Sequence, residues 1–167
     1  GMCTMLVDQM AYSLENIRLV QELQDSRDAV IRGMALLAEI RDTHIGGHLN
    51  RICEFSRLLA EKLVGRPGYL EVNYDFIETI ARAAALHDVG KVGIPDSILL
   101  KPGKLTEAEF EIMKSHAARG AQIMTPIKQM HRVLDGVRSH HEKWEGGGYP
   151  DGLVGEQIPL MARIIAV

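Results

Sequence analysis

From Thr4 to Arg41 the apolar residues recur every three or four positions, with no proline and Gly33 as the lone glycine. That period predicts one long amphipathic helix. A seven-residue repeat runs through it. Met10, Ile17, Ile31 and Ala38 share one seam position, which Gln24 interrupts. Leu6, Val20 and Met34 share the other, which Ser13 and Arg27 interrupt. Such a seam suits a parallel coiled coil that pairs two copies as a homodimer, or else a helix packed on its own domain. Residues 1–41 are therefore read as an N-terminal helix and coiled-coil connector, to which an upstream sensor or receiver domain would attach.

Past residue 41 the pattern breaks into shorter helices. Asp42 or Thr43 is placed to cap a helix that runs to about Val64, where Gly65-Arg66-Pro67-Gly68 stops it. A second helix fits Tyr74 to His87, with Ile77, Ile80, Ala84 and Leu86 facing the core. Thr106 and Glu109 form the signature of a capping box, which starts a helix that ends before Pro126. A further helix is expected over 128–141. Residues 142–158, with five glycines and Pro150, read as a loop. Pro159 suits the first position of a last helix. No segment alternates as a strand does, so the fold class is all-α, a helical bundle over 42–167 behind the long helix.

Composition narrows the picture only a little. Apolar residues make up 46% and charged residues 25%, enough for one core and a solvated surface. A net charge of -3 gives no general attraction to nucleic acid or to an anionic membrane. No apolar run approaches the ~20 residues that cross a bilayer, and no leader pattern opens the chain. Cys3 and Cys53 form no CxxC pair and are read as reduced thiols in a cytoplasmic protein.

The candidate chemistry lies in the histidines. His44 and His48 are one helical turn apart. His87-Asp88 stand where a helix gives way to a glycine turn, His116 lies inside the capped helix, and His140-His141 end another. Donors from four segments meeting in a bundle make a polynuclear metal site. Imidazole with carboxylate suits Fe, Mn, Zn or Ni better than Mg or Ca. His131 has no such companion and reads as a surface or packing residue.

The stretch Ala84-Ala-Leu-His-Asp-Val-Gly-Lys-Val-Gly-Ile-Pro-Asp-Ser-Ile-Leu-Leu100 resembles the signature of the HD-GYP family. So do Lys101-Pro102-Gly103-Lys104-Leu105-Thr106, Met113-Lys114-Ser115-His116, His140-His141-Glu142-Lys143-Trp144 and Gly148-Tyr149-Pro150. The resemblance covers about residues 40–167. It implies an HD-type helical bundle that hydrolyses cyclic di-GMP to pGpG, and onward to GMP in many members. It also implies that His48, His87, Asp88, His116, His140 and His141 are metal ligands, with Asp88 bridging two ions. Lys91 would neutralise a substrate phosphate, so Asp88 and Lys91 carry the catalytic roles. Gly148, Tyr149 and Pro150 would shape the nucleotide pocket. The expected cofactors are two or three divalent ions, Fe or Mn before Zn or Ni.

Three positions depart from the family pattern. His44 stands where some members have a glutamate that helps hold a third ion. Glu145 follows Trp144 where an aspartate is usual. An aspartate ligand is expected within two residues of Val167, so the domain is read as truncated at its C-terminus, with impaired turnover. Two other readings compete: a non-catalytic HD-type regulatory module, and a hydrolase of another nucleotide.

Overall fold

A computed structural model of the chain describes residues 2–41 and 48–167. The described residues contain helices and no strand, as an all-α fold requires. The helices are α1 (Met2–Arg41), α2 (His48–Leu63), α3 (Tyr74–Leu86), α4 (Asp96–Leu99), α5 (Glu107–Met124), α6 (Leu134–Ser139) and α7 (Leu160–Ile165). Short 3-10 segments occupy Val89–Gly93, Lys128–Val133 and Gly155–Gln157. None of these helices is long and apolar enough to cross a membrane.

The chain divides into two compact units, one ending at Gly33 and one spanning Met34–Val167. The first is the N-terminal stretch of α1, where the seam residues Leu6, Met10, Ile17 and Val20 are exposed and the seam residue Ile31 is buried. The second holds the bundle and includes the last two turns of α1. There Ala35 and Ala38 are buried.

Local signals fix the helix ends. The Asn73 side chain accepts the Phe76 N–H at 3.0 Å and starts α3. Thr106 and Glu109 form the expected reciprocal box at the start of α5, and Lys101 adds an ion pair to Glu109 at 2.6 Å. Gly65, at φ +71°, lies past the end of α2 in the left-handed region that a side chain disfavours. The expected cap at Asp42 or Thr43 lies outside the described residues. The helix expected over 128–141 is two pieces, a 3-10 segment followed by α6, and His140-His141 stand just past its end. Pro159 is the cap of α7 and not its first helical residue. Its ψ of 137° is extended, so the helix begins one residue later.

Helix α3 lies at the centre, packed on α2, α6 and α7. Ile80, Ala83, Ala84 and Leu86 are fully buried on it, and Ile77 nearly so. Removing a side chain such as Ile80 or Leu86 from water contributes about 1.5–3 kcal/mol. Ala60 of α2, Ala117 and Met124 of α5, Val137 of α6 and Ala162 of α7 complete this core. Small residues let the elements approach closely. An ideal Cβ on Gly90 would lie 1.9 Å from the His116 carbonyl oxygen and 2.5 Å from the Gly120 nitrogen. The glycine turn after α3 therefore rests directly on the backbone of α5.

Candidate metal centre

That contact brings three segments to one place. Asp88 follows α3, His116 lies on α5, and His140 and His141 follow α6. One donor atom from each of these four residues lies within 4.8 Å of the donor atoms of the other three. Asp88 Oδ1 is 3.3 Å from His116 Nε2 and 3.9 Å from His140 Nε2. The His116 and His140 Nε2 atoms are 3.4 Å apart. His116 and His140 are buried, while Asp88 and His141 are partly accessible.

Hydrogen bonds settle which imidazole nitrogen faces the centre. The His116 Nδ1 lies 2.7 Å from the Met113 carbonyl oxygen, and the His140 Nδ1 lies 2.8 Å from that of Val137. A carbonyl oxygen only accepts, so each Nδ1 carries the proton and donates it. In the neutral ring Nε2 is then a bare lone pair. Burial pushes the His140 ring down to about 2, so it stays neutral. Burial and the nearby His116 push His141 down to about 4. Burial alone would raise the Asp88 carboxyl, but the His116 and His87 imidazoles, with Lys91, hold it well below the usual carboxylate range.

These facts test the fit of a divalent cation. The Nε2 atoms of two buried imidazoles and an anionic oxygen converge within 3.3–3.9 Å. One proton on His116 satisfies only one partner, whereas one cation satisfies all of them. The backbone carbonyls behind the rings are the outer-shell partners that orient histidine ligands. The donor set fits.

His87 adjoins this group but stands outside it. Its Nδ1 donates to the Ala84 carbonyl at 2.7 Å, and its Nε2 meets Asp88 Oδ2 at 3.0 Å. Both partners accept, so in this arrangement the ring holds two protons. Burial opposes that charge, yet the Asp88 carboxylate prevails and the His87 pKa is raised. Lys91 Nζ reaches the same Asp88 oxygen at 2.9 Å. His48 opens α2 with its ring centroid 6.2 Å from that of His87. His48, His87, Asp88 and Lys91 line one cavity of about 80 Å³. His44 lies outside the described residues. His131 accordingly sits apart, with Nε2 2.8 Å from the Thr125 carbonyl oxygen.

The glycine loop forms the remaining wall. The Tyr149 ring stacks on His141 at 4.6 Å, and its backbone N–H donates to the His141 carbonyl at 3.3 Å. Burial and the Asp88 charge push the phenol up to about 12, so it remains a neutral hydroxyl. Gly148 crosses the chain at Glu142, where a Cβ would lie 2.5 Å from the Glu142 Cα. Pro150 is half-buried beside it. One organiser of this loop is not evident from the sequence. The buried Glu142 carboxylate accepts N–H groups from Asp151, Gly152 and Leu153 at 2.8–3.0 Å. Its one sequence signal is an acid between a His pair and a glycine run, which exposed loop acids share.

The chain is similar to known proteins. The family model described as "HD domain" matches residues 34–167. The chain is 44% identical to a protein of Vibrio cholerae named "Cyclic di-GMP phosphodiesterase", over its whole length and 35% of that protein. It is 39% identical to "Cyclic di-GMP phosphodiesterase response regulator RpfG" of Xanthomonas campestris, over 96% of this chain and 42% of that one. It is also 39% identical to "3'3'-cGAMP-specific phosphodiesterase 2" of Vibrio cholerae, over 93% of this chain and 29% of that one. The chain thus spans 29–42% of the length of these relatives. An HD domain implies divalent metal binding, and the Asp88, His116, His140 and His141 donors are arranged for it. On the matched domain, the motifs and these relatives, the chain belongs to the HD-domain family, in its HD-GYP branch.

Proposed function

We propose that this protein is a metal-dependent phosphodiesterase that hydrolyses cyclic di-GMP to pGpG, with GMP as a further product. The observation that carries the reading is the pair of Nε2 atoms, on His116 and His140, facing each other at 3.4 Å beside Asp88. Divalent ions bound there would polarise a phosphoryl oxygen and acidify a water, the two things an anionic and unreactive phosphodiester needs. His140 and His141 offer neutral nitrogen, and His116 turns its Nε2 to the same point. Asp88 offers an oxygen to each side, Oδ1 toward His116 and Oδ2 toward His87 and Lys91. That two-sided placement supports a bridging role. His48 and His87, which flank the adjoining cavity, are the donors for a second ion. His87 would give up its Nε2 proton on binding it. Nitrogen-rich donors favour Fe, Mn, Zn or Ni over Mg or Ca, and the family resemblance puts Fe or Mn first. Lys91 would offset charge that grows on the phosphoryl group. Tyr149, neutral and stacked on His141, would bound the nucleotide without moving a proton.

A relative specific for 3'3'-cGAMP matches as well as one named for cyclic di-GMP, so a second cyclic dinucleotide is a specific competitor. The exposed seam over residues 6–20 of α1 supports a homodimer through that part of the helix, with Leu6 at 55% and Ile17 at 66% exposure. The test strips the protein with chelator, reloads it with Mn or Fe, and follows both dinucleotides by chromatography. Metal-dependent loss of cyclic di-GMP, abolished in His140→Ala, is expected. Intact cyclic di-GMP in the metal-loaded protein sinks the reading, and faster loss of 3'3'-cGAMP transfers it to that substrate.

A further inference from the structure

We propose that Arg41 and Glu39, on the last turn of α1, are positioning residues for the phosphate side of this pocket. Both lie outside the sequence stretches quoted above and outside the group of Asp88, His116, His140 and His141. Arg41 grips the turn that carries Lys91. Its guanidinium donates to the carbonyl of Val92, to that of Ile94 at 3.2 Å, and to the Asp96 carboxylate at 2.5 Å. Arg119 of α5 takes the carbonyl between them, Gly93, at 3.1 Å. Three successive carbonyls are thus held by two arginines from two helices. Lys91 is the residue immediately before them, and its ammonium meets Asp88 at 2.9 Å. With the backbone fixed there, the flexible lysine chain has one short path to the pocket.

Glu39 does the same at the other edge. Its carboxylate accepts the Leu49 N–H at 3.4 Å, at the opening turn of α2 and one residue past His48. Between the two grips, α1 supplies a wall of the cavity, with Ala35, Ala38 and Glu39 opposite His48, His87 and Asp88. Ala35 and Ala38 are 3% and 4% exposed, so this stretch of α1 is seated and not merely adjacent. The chemistry of the grip requires arginine. A planar fork of five donors reaches two carbonyls and a carboxylate together, and an ammonium on a flexible stem does not hold all three in one geometry. A shift of α1 along its axis would carry both grips with it, and with them Lys91 and His48.

The kinetic test rests on the phosphodiesterase reading, and a second measurement does not. In the full chain loaded with Mn, Arg41→Ala is expected to lower kcat for cyclic di-GMP about tenfold or more while KM stays within about twofold. Arg41→Lys should recover little of it. In a Lys91→Ala background the same substitution should cost less than about twofold, because Arg41 acts through Lys91. Arg132→Ala, at an exposed pair with Asp75, serves as control. Independently, hydrogen exchange of peptides over 88–96 should quicken in Arg41→Ala, with the α3 and α5 amides unchanged. Equal fold-losses with and without Lys91, or full activity in Arg41→Ala, overturn the proposal. So does unchanged exchange over 88–96, even for a protein that proves to hydrolyse no dinucleotide. A wild-type protein without turnover but with the faster exchange overturns the activity reading and keeps the grip.

Discussion

Gly90→Ala is the sharpest perturbation of this site, because it adds one methyl group and removes nothing. The new carbon would stand 1.9 Å from the His116 carbonyl oxygen and 2.5 Å from the Gly120 nitrogen. Ordinary contact begins near 3.4 Å, so the turn and α5 must separate by about 1.5 Å. Both obstacles are backbone, and no side chain can swing away. Asp88, two residues earlier, and His116 itself lie on the two surfaces forced apart, and their 3.3 Å approach opens by a similar amount. Overpacking of this kind costs about 1–3 kcal/mol of stability. A misplacement of about 1 Å costs on the order of 100-fold in rate. The expected result is a folded helical protein, destabilised in urea by that amount, with weakened Mn binding by calorimetric titration. Gly33→Ala is the matched control. No atom lies within 4 Å of its Cβ position, so it should leave the metal site alone and stabilise α1 by about 0.5–1 kcal/mol. Wild-type Mn affinity and unfolding midpoint in Gly90→Ala would refute the close-approach reasoning.

Three further outcomes follow from the same structure. Glu142→Ala leaves the N–H groups of Asp151, Gly152 and Leu153 without their acceptor, and should cost about 1–3 kcal/mol and speed limited proteolysis over 142–155; unchanged cleavage counts against its role as loop organiser. Chelator-treated protein should lose stability as pH falls below 6.5. His140 is held to about 2 when folded, so the unfolded chain binds the proton first, and this group contributes about 1.4 kcal/mol per pH unit as pH falls toward 2. His87 acts in the opposite direction, its raised pKa giving stability that fades as pH rises past 6.5, so His140→Ala should flatten the acid limb measured by urea titration. Burial and the neighbouring Glu54 push the Cys53 thiol up to about 11, so at pH 8 its alkylation in a Cys3→Ser background should run about 100-fold slower than in urea; equal rates would show the thiol to be open.

What the sequence discloses and what it conceals divide along a physical line. Thr106 with Glu109, and Gly65 after α2, are visible because their partners lie within a few residues. The division of 128–141 is hidden, because the pattern of apolar residues is nearly the same in a 3-10 turn and an α-helix. The Gly90 contact, the Glu142 cradle and the Arg41 grip are hidden because each partner is remote in the chain or is plain backbone. The candidate donors are an intermediate case, and three of the histidines share one local device. His87, His116 and His140 each give Nδ1–H to the carbonyl three residues earlier, those of Ala84, Met113 and Val137, at 2.7–2.8 Å. A histidine in or just past a helix can set its own tautomer in this way, with no help from the rest of the protein. Helix packing then has only to place three preset rings around Asp88. The site is therefore legible as a list of histidines, although no single histidine announces it: tautomer is settled within one turn, and position by glycine-sized gaps between helices.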